Sequence, residues 1–284
     1  MNKLIIRLLL LLTVTNSALS MMRPLPPRPG NIPRPLPQLP IAKPVPTPAA
    51  AQPAQPQIPL QPQPPITSYK AAGILPFAVA SNGDIFLLVG LENRSFKGGP
   101  VKAYAMDFGG KIDAQDSNNP AYSAAREGAE ELAFIYDETP TDFKRVLDIR
   151  KKFGPNFNVN ASGALSYKRI LNKIQKDAIT GKPALYNNNN NFYIMYFPRF
   201  SYDTPSRNVP QLYQMRLKQY GNQIPYEWRE KSQLIWLPVK DIINAIKALP
   251  TQRAPLVVNG ITIWPYVADS IIQAYQRGIL NNLR

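Results

Sequence analysis

The spacing of apolar positions changes several times after residue 66, and each change marks an element. Two near-continuous apolar runs come first, "AAGILPFAVAS" (71–81) and "GDIFLLVGLEN" (83–93). Such runs predict strands, and the Asn82-Gly83 between them predicts a tight hairpin, because both residue types accept positive φ. "VKAYAMDFGG" (101–110) reads as a further strand ending on two glycines. The pattern then becomes helical: Asn118 or Asn119 can cap a helix with Pro120 in its first turn, running to about Phe134. "FKRVLDIRKKF" (143–153) and "SYKRILNKIQKDAIT" (166–180) also read as helices, and both are basic. In the "TGKPALYNNNNN" that follows, the five-Asn run 187–191 reads as a flexible loop. "FYIMYFPRF" (192–200) and "SQLIWLPV" (232–239) are predicted strands, the second leading into the helix "KDIINAIKAL" (240–249). "YVADSIIQAYQRGILNNL" (266–283) closes the chain as an amphipathic helix. The succession predicts an α+β domain, a mixed sheet with helices on it. It spans about 67–284, long enough for one sizeable core.

Nothing before residue 67 follows that pattern. "MNKLIIRLLLLLTVTNSALS" has Lys3 and Arg7, then an apolar run over 8–14, then small residues at Ala18 and Ser20. That is the layout of a secretory signal peptide with an Ala-Leu-Ser cleavage site over residues 1–20. The apolar run is well short of the ~20 residues that cross a bilayer, and no Cys follows it for lipid attachment. The expectation is export by a cleaved signal peptide, secreted or periplasmic, with no stable membrane anchor and a mature start near Met21. Residues 21–66 hold 17 of the 31 prolines and no aromatic residue. Such a segment cannot bury enough surface to offset its ordering entropy, so it is expected to be a disordered, polyproline-like linker. Its P-x-x-P spacings leave docking on a proline-binding module open as a second role.

Charge changes the picture next. Six of the 33 basic residues and none of the 18 acidic ones fall in the first 66 positions, leaving 27 against 18 in the remainder. That domain is still basic and favours an anionic partner, such as a nucleotide, nucleic acid or a membrane surface. The absent residue types exclude more. With no His and no Cys in 284 residues, there can be no Ser-His-Asp triad, imidazole base, thiol nucleophile, thiolate metal site or disulfide. Any catalysis must use carboxylates, Lys, Tyr, Ser/Thr or an oxygen-bound metal.

One stretch gathers such carboxylates. In "REGAEEL" (126–132), Glu127, Glu130 and Glu131 fall at helical spacings of three and four and share a face. At an exposed site each like-charge pair costs a few tenths of a kcal/mol, and Arg126 offsets part of this through its i+4 relation to Glu130. Two readings stay open on these residues alone. One is an ordinary solvated helix face; the other is a set of oxygen ligands for a hard divalent ion, Mg²⁺ or Mn²⁺.

The flanking residues add a resemblance. "DFGGK" ends a strand, a loop follows, and the helix carries R-E-x-x-E-E. This arrangement resembles the Nudix box, with Gly110 as the opening glycine, Arg126-Glu127 and Glu130-Glu131 as the acidic core, and Phe134 as the final apolar position. "AAGILPFAV" and "IWLPVKDII" are similar to the family's flanking strands, so the likeness covers about 69–135 and 192–249. Several positions depart from the pattern. The Gly110-to-Arg126 loop is two residues longer, and the family's early glutamate falls on Asn118. Asp113 or Asp116 could replace it only if that loop folds back. The apolar position after R-E is Gly128, and Leu132-Ala133 stands where the family has a glycine.

The resemblance implies a Nudix-type mixed β-sheet sandwiched by helices, with a helical insertion at about 137–191. It also implies a divalent-metal-dependent hydrolase that cleaves the pyrophosphate bond of a nucleoside-diphosphate derivative. Glu127, Glu130 and Glu131 would bind Mg²⁺ or Mn²⁺ with the Gly109 carbonyl, and Arg126 would orient a carboxylate. The base would be a glutamate of the cluster or a later carboxylate, Glu227 or Glu230. The partner expected first is thus an anionic small molecule, with nucleic acid left open behind it. Lys144, Arg145, Arg150, Lys151, Lys152, Lys168, Arg169 and Lys173 in the insertion could reach phosphates, or simply solvate two helices. Tyr186, Tyr193, Tyr196 or Trp228 could stack on a base, or be core. The rival class is a catalytically weakened Nudix-fold module that binds a nucleotide or a protein partner without cleaving it.

Overall fold

The structure, a computed structural model, describes residues 69–135, 140–176, 183–188, 191–200, 209–250 and 254–283. The expected signal peptide and linker, and the 177–180 end of the third predicted helix, lie outside the described residues. Within them the α+β expectation is met by several sheets and six α-helices. The first sheet has the order β5-β1-β7-β6. It is built from β1 (Tyr69–Ile74), β5 (Phe108–Lys111), β6 (Ala184–Asn188) and β7 (Asn191–Tyr196), with β1 and β7 parallel and the other pairs antiparallel. In the second sheet β3 (Ile85–Arg94) is central. One edge pairs with β8 (Gln233–Pro238); the other pairs first with β2 (Phe77–Val79) and then with β4 (Lys102–Met106). A small hairpin, β9 (Val257–Val258) and β10 (Ile261–Thr262), stands apart.

Two runs that the pattern treats as single strands are in fact two each, and both change sheets at the break. The first breaks at Leu75-Pro76, where proline has no N–H to give the ladder, so β1 and β2 lie in different sheets. The second breaks at the buried Asp107, between β4 and β5. Such corners let one strand run serve two packed layers. Alternation then sorts the side chains. Ile74, Ile194 and Tyr196 enter one core with Phe134, Phe143 and Ile170, while Leu75, Met195 and Phe197 enter another with Ile242 and Ile271.

The helices cover these cores. They are α1 (Pro120–Glu131), α2 (Pro140–Phe153), α3 (Leu165–Lys176), α4 (Val209–Tyr220), α5 (Val239–Lys247) and α6 (Pro265–Gln276). Asn119 is the α1 cap, its side chain accepting from the Ala121 N–H at 3.0 Å. The helix lies over β1 and β5 and against α3. Gly128 makes that close approach possible: a Cβ there would sit 2.4 Å from Ile74 Cδ1 of β1. The empty apolar position of the helix is therefore filled from the sheet.

Three elements differ from expectation. Part of the asparagine run is strand, since Asn187 and Asn188 of β6 pair with Phe192 and Asn191 of β7. The final helix stops at Gln276, and a short 3₁₀ turn, Leu280–Asn282, follows. Helix α4 has no counterpart in the pattern because its inward face carries a cation: Val209, Tyr213 and Arg216 are the buried positions.

Candidate functional site

Helix α1 presents its acids between two buried cations. On one side Arg126 reaches back along the chain. Its Nε and Nη2 donate to the two oxygens of Asp116, both at 3.0 Å, and Nη2 also donates to the Lys111 carbonyl at 2.9 Å. Its Nη1 donates to Glu127 Oε1 at 2.8 Å and to Glu130 Oε2 at 3.4 Å. The longer loop therefore does fold back, and Asp116, not Asn118, holds the arginine. A short 3₁₀ turn, Ala114–Asp116, achieves this: Asp113 caps it by accepting from the Gln115 N–H, and the Asp116 carboxylate accepts from the Asp113 N–H. Asn118 is exposed. Gly110 completes the setting, because a Cβ there would meet Glu127 Oε1 at 2.4 Å.

On the other side stands Lys231, just before β8, with a side chain only 2% exposed. Its Nζ donates to Glu131 Oε1 and to Glu92 Oε2 of β3, both at 3.1 Å. Glu131 Oε2 accepts from the Gly109 N–H at 2.9 Å, and Glu92 Oε1 accepts from Arg94 Nε at 2.6 Å. The lysine stem crosses β3 at Gly90, where a Cβ would lie 2.7 Å from its Cγ and Cδ. The Lys231 carbonyl accepts from the Tyr213 hydroxyl at 2.9 Å. Nearby, the Tyr193 hydroxyl donates to Asp107.

Burial dominates the protonation of these groups. It pushes Glu130 and Glu131 up to about 8, against the opposing pull of Arg126 and Lys231 respectively. Glu127 is raised for the same reason, again opposed by Arg126. For the two cations burial works against charge, but neighbouring carboxylates outweigh it. Arg126 is raised by Asp116, Glu127 and Glu130, and Lys231 by Glu131, Glu92 and Asp107. Carboxylates this buried, with their charge only partly matched, favour further positive charge.

The residues present fit a hard divalent ion in one specific way. Among the described residues, no group of three or more acidic side chains is arranged to hold an ion. In this arrangement the three glutamates are divided between two cations. Glu131 is turned to Lys231 and Gly109, and Gly109 contributes its N–H there. Among the described residues, Glu127 Oε2 and Glu130 Oε1 have no hydrogen-bond partner, and both side chains retain some exposure, 16% and 13%. Two carboxylates with open oxygens suit Mg²⁺, which keeps several of its waters.

Other expected residues fall outside this centre or at its edge. Glu230 lies 3.8 Å from Arg94, is raised by burial and then by Glu92, and acts electrostatically on Glu127. Glu227 pairs with Arg150 at 2.9 Å and acts on Glu130. Trp228 is 1% exposed and packs edge-on against Phe134, so it is core and not a stacking platform. Tyr196 is buried and Tyr193 is held by Asp107, while Tyr186 stacks at a tilt on the exposed Tyr266. In the insertion, Lys144 and Arg145 are exposed, and Lys144 pairs with Asp148 on its own helix. Lys231, Glu92 and Asp107 have no signal in their local sequence. The position reserved for glycine in the box is Ala133, whose φ of +47° is left-handed, a conformation that costs an L-residue about 1–2 kcal/mol.

No protein-family model matches the chain, and no curated protein matches it. Among solved structures it is similar to a NUDIX hydrolase from Alicyclobacillus acidocaldarius. That likeness has 16% identity, covers 65% of this chain and 85% of the other, and has a TM-score of 0.33.

Proposed function

We propose that the chain is a divalent-metal-dependent hydrolase of the Nudix type, acting on the phosphoanhydride bond of an anionic small molecule, a nucleoside-diphosphate derivative. The observation that carries this reading is the Asp116–Arg126 pair. It restores, from a different position, the acid that orients the arginine in the box, and it leaves Glu127 and Glu130 side by side with open oxygens. Glu127 and Glu130 would hold Mg²⁺ or Mn²⁺, which supplies charge neutralisation at phosphate and acidifies a bound water. Arg126 keeps the two carboxylates together against their repulsion. Glu230, half-buried with its pKa raised and acting electrostatically on Glu127, would accept the proton of the attacking water. The signal peptide and proline-rich linker would carry this domain out of the cytoplasm as an exported enzyme.

A second reading, a module that binds without cleaving, is favoured by one observation: both oxygens of Glu131 are committed within the protein. Turnover separates the two. Purified protein is offered ADP-ribose, dinucleoside polyphosphates, nucleotide sugars and nucleoside triphosphates with Mg²⁺ or Mn²⁺, beside the Glu130→Gln variant. Metal-dependent phosphate-ester products from the wild type, lost in Glu130→Gln, are the expected result. Saturable nucleotide binding with no turnover on any of them would establish the module instead.

A further inference from the structure

The two buried cations leave the carboxylate oxygens around them differently engaged. Around Arg126 stand Asp116, Glu127 and Glu130, three carboxylates against one guanidinium. With every carboxylate ionised, that side has two negative charges in excess, the charge of one divalent ion. Around Lys231 stand Glu131 and Glu92, and Arg94 sits on Glu92. Glu230 also pairs with Arg94, at 3.8 Å, and Asp107 also acts on Lys231, so this side too carries more carboxylates than cations. The hydrogen bonds, not the charge count, separate the two sides. All four oxygens of Glu131 and Glu92 have a donor, from Lys231, the Gly109 N–H or Arg94. Glu127 and Glu130 each keep one oxygen without a partner among the described residues.

We propose that Lys231 is a resident cation of the carboxylate site, a positioning residue that neutralises Glu131 and Glu92 and limits the site to one divalent ion, held by Glu127 and Glu130. This rests on the metal-dependent reading above. An ammonium is a compact point charge with three donors, so it can serve two carboxylates from one buried position as a metal ion would. It differs from a metal in being tethered: it cannot exchange with solvent or reach a substrate phosphate. Glu131 is thereby kept at the Gly109 N–H, at the end of the strand that precedes the box. The ion carried by α1 is confined to the Arg126 side.

Counting Mn²⁺ on the full chain, by calorimetry and by electron paramagnetic resonance, tests this without reference to activity. Wild type should bind one ion. Lys231→Met should bind a second at the freed Glu131 and Glu92, and its thermal midpoint should rise with Mn²⁺ more steeply than that of wild type. Lys231→Arg, which restores the charge, should return the count to one. Should Lys231→Met not fold, the double variant Lys231→Met/Glu131→Gln removes the pair as a whole. It should still bind one ion, with affinity within about threefold of wild type; a loss of about tenfold or more, some 1.4 kcal/mol, would make Glu131 an ion ligand and overturn the proposal. Two ions on wild type, or a folded Lys231→Met that stays at one, would overturn it as well. A wild type that binds none defeats the metal-dependent reading instead. The Lys231 inference then falls too, unless Lys231→Met gains an ion, a result that only this inference predicts.

Discussion

Arg126 and Lys231 do similar work on the acids of one helix, but their clusters are assembled from very different stretches of chain. All the carboxylates that Arg126 holds lie between Asp116 and Glu130, on one loop and one helix. Lys231 takes its carboxylates from residues 100 and 139 positions away, one on α1 and one on β3. The first cluster follows from helical spacing plus a turn that reverses the loop. The second exists only once β3, β8 and α1 have been brought together. Local geometry thus builds the open half of the site, and tertiary packing builds the closed half.

The comparison can be broken first where the effect is largest. Arg126→Met leaves three buried or half-buried carboxylates facing one another. Removing one partner of such a cluster should cost about 3–5 kcal/mol in urea denaturation. Lys231→Met strands two carboxylates, one of them still paired with Arg94, so its cost should fall at the low end, about 3 kcal/mol. A larger loss for Lys231→Met than for Arg126→Met would reverse the ranking and mean that the distant cluster dominates stability.

Asp116→Asn asks whether the arginine depends on the turn before α1. The variant keeps the shape but loses the charge in hydrogen bonds to Arg126, and about 2 kcal/mol should be lost. The matching test is Asn118→Glu, which restores the residue type that the box pattern places there. Asn118 is exposed, but its φ of +55° is left-handed and suits Asn better than Glu, so this change should cost about 0.5–1 kcal/mol. Rescue of Asp116→Asn by Asn118→Glu in the double variant would show that the loop can choose either acid.

Between those two in size lies Gly128→Ala, where a local propensity opposes a distant contact. Alanine is favoured over glycine in a helix by up to ~1 kcal/mol, yet its Cβ would meet Ile74 Cδ1 at 2.4 Å. Overpacking should win and destabilise the protein by about 1 kcal/mol net. Combining it with Ile74→Ala should give a double variant less damaged than the sum of the two changes. Simple additivity in that cycle would deny the contact.

The same division explains what can be read from the chain before folding. Helix α1, its Asn119 cap and the Glu127–Glu130–Glu131 face are legible because residue spacing and helical period settle them. Asp116 is legible as one of two candidates, since only the backbone of the longer loop decides between it and Asp113. Helix α4 is not, because Arg216 sits among its buried positions, donates to the Ala133 carbonyl and lies over the Phe143 ring at 4.4 Å. A cation on the inward face erases the apolar period on which the reading depends. Lys231 is hidden for the opposite reason: in "WREKSQ" it looks like one more charge in a surface turn. Only the approach of β3 buries it. Glu131 is visible on its helix, but its commitment to Lys231 depends on that same packing.

Gly90 carries a consequence of its own. The lysine stem passes over β3 only because that residue has no side chain, so an uncharged methyl group introduced there would be felt as a change of charge. Gly90→Ala would push the ammonium off Glu131 and Glu92 without altering a single ionisable residue. A survey of variants that scored substitutions by charge alone would pass over it. In this protein the electrostatics of the site are inherited partly through a glycine.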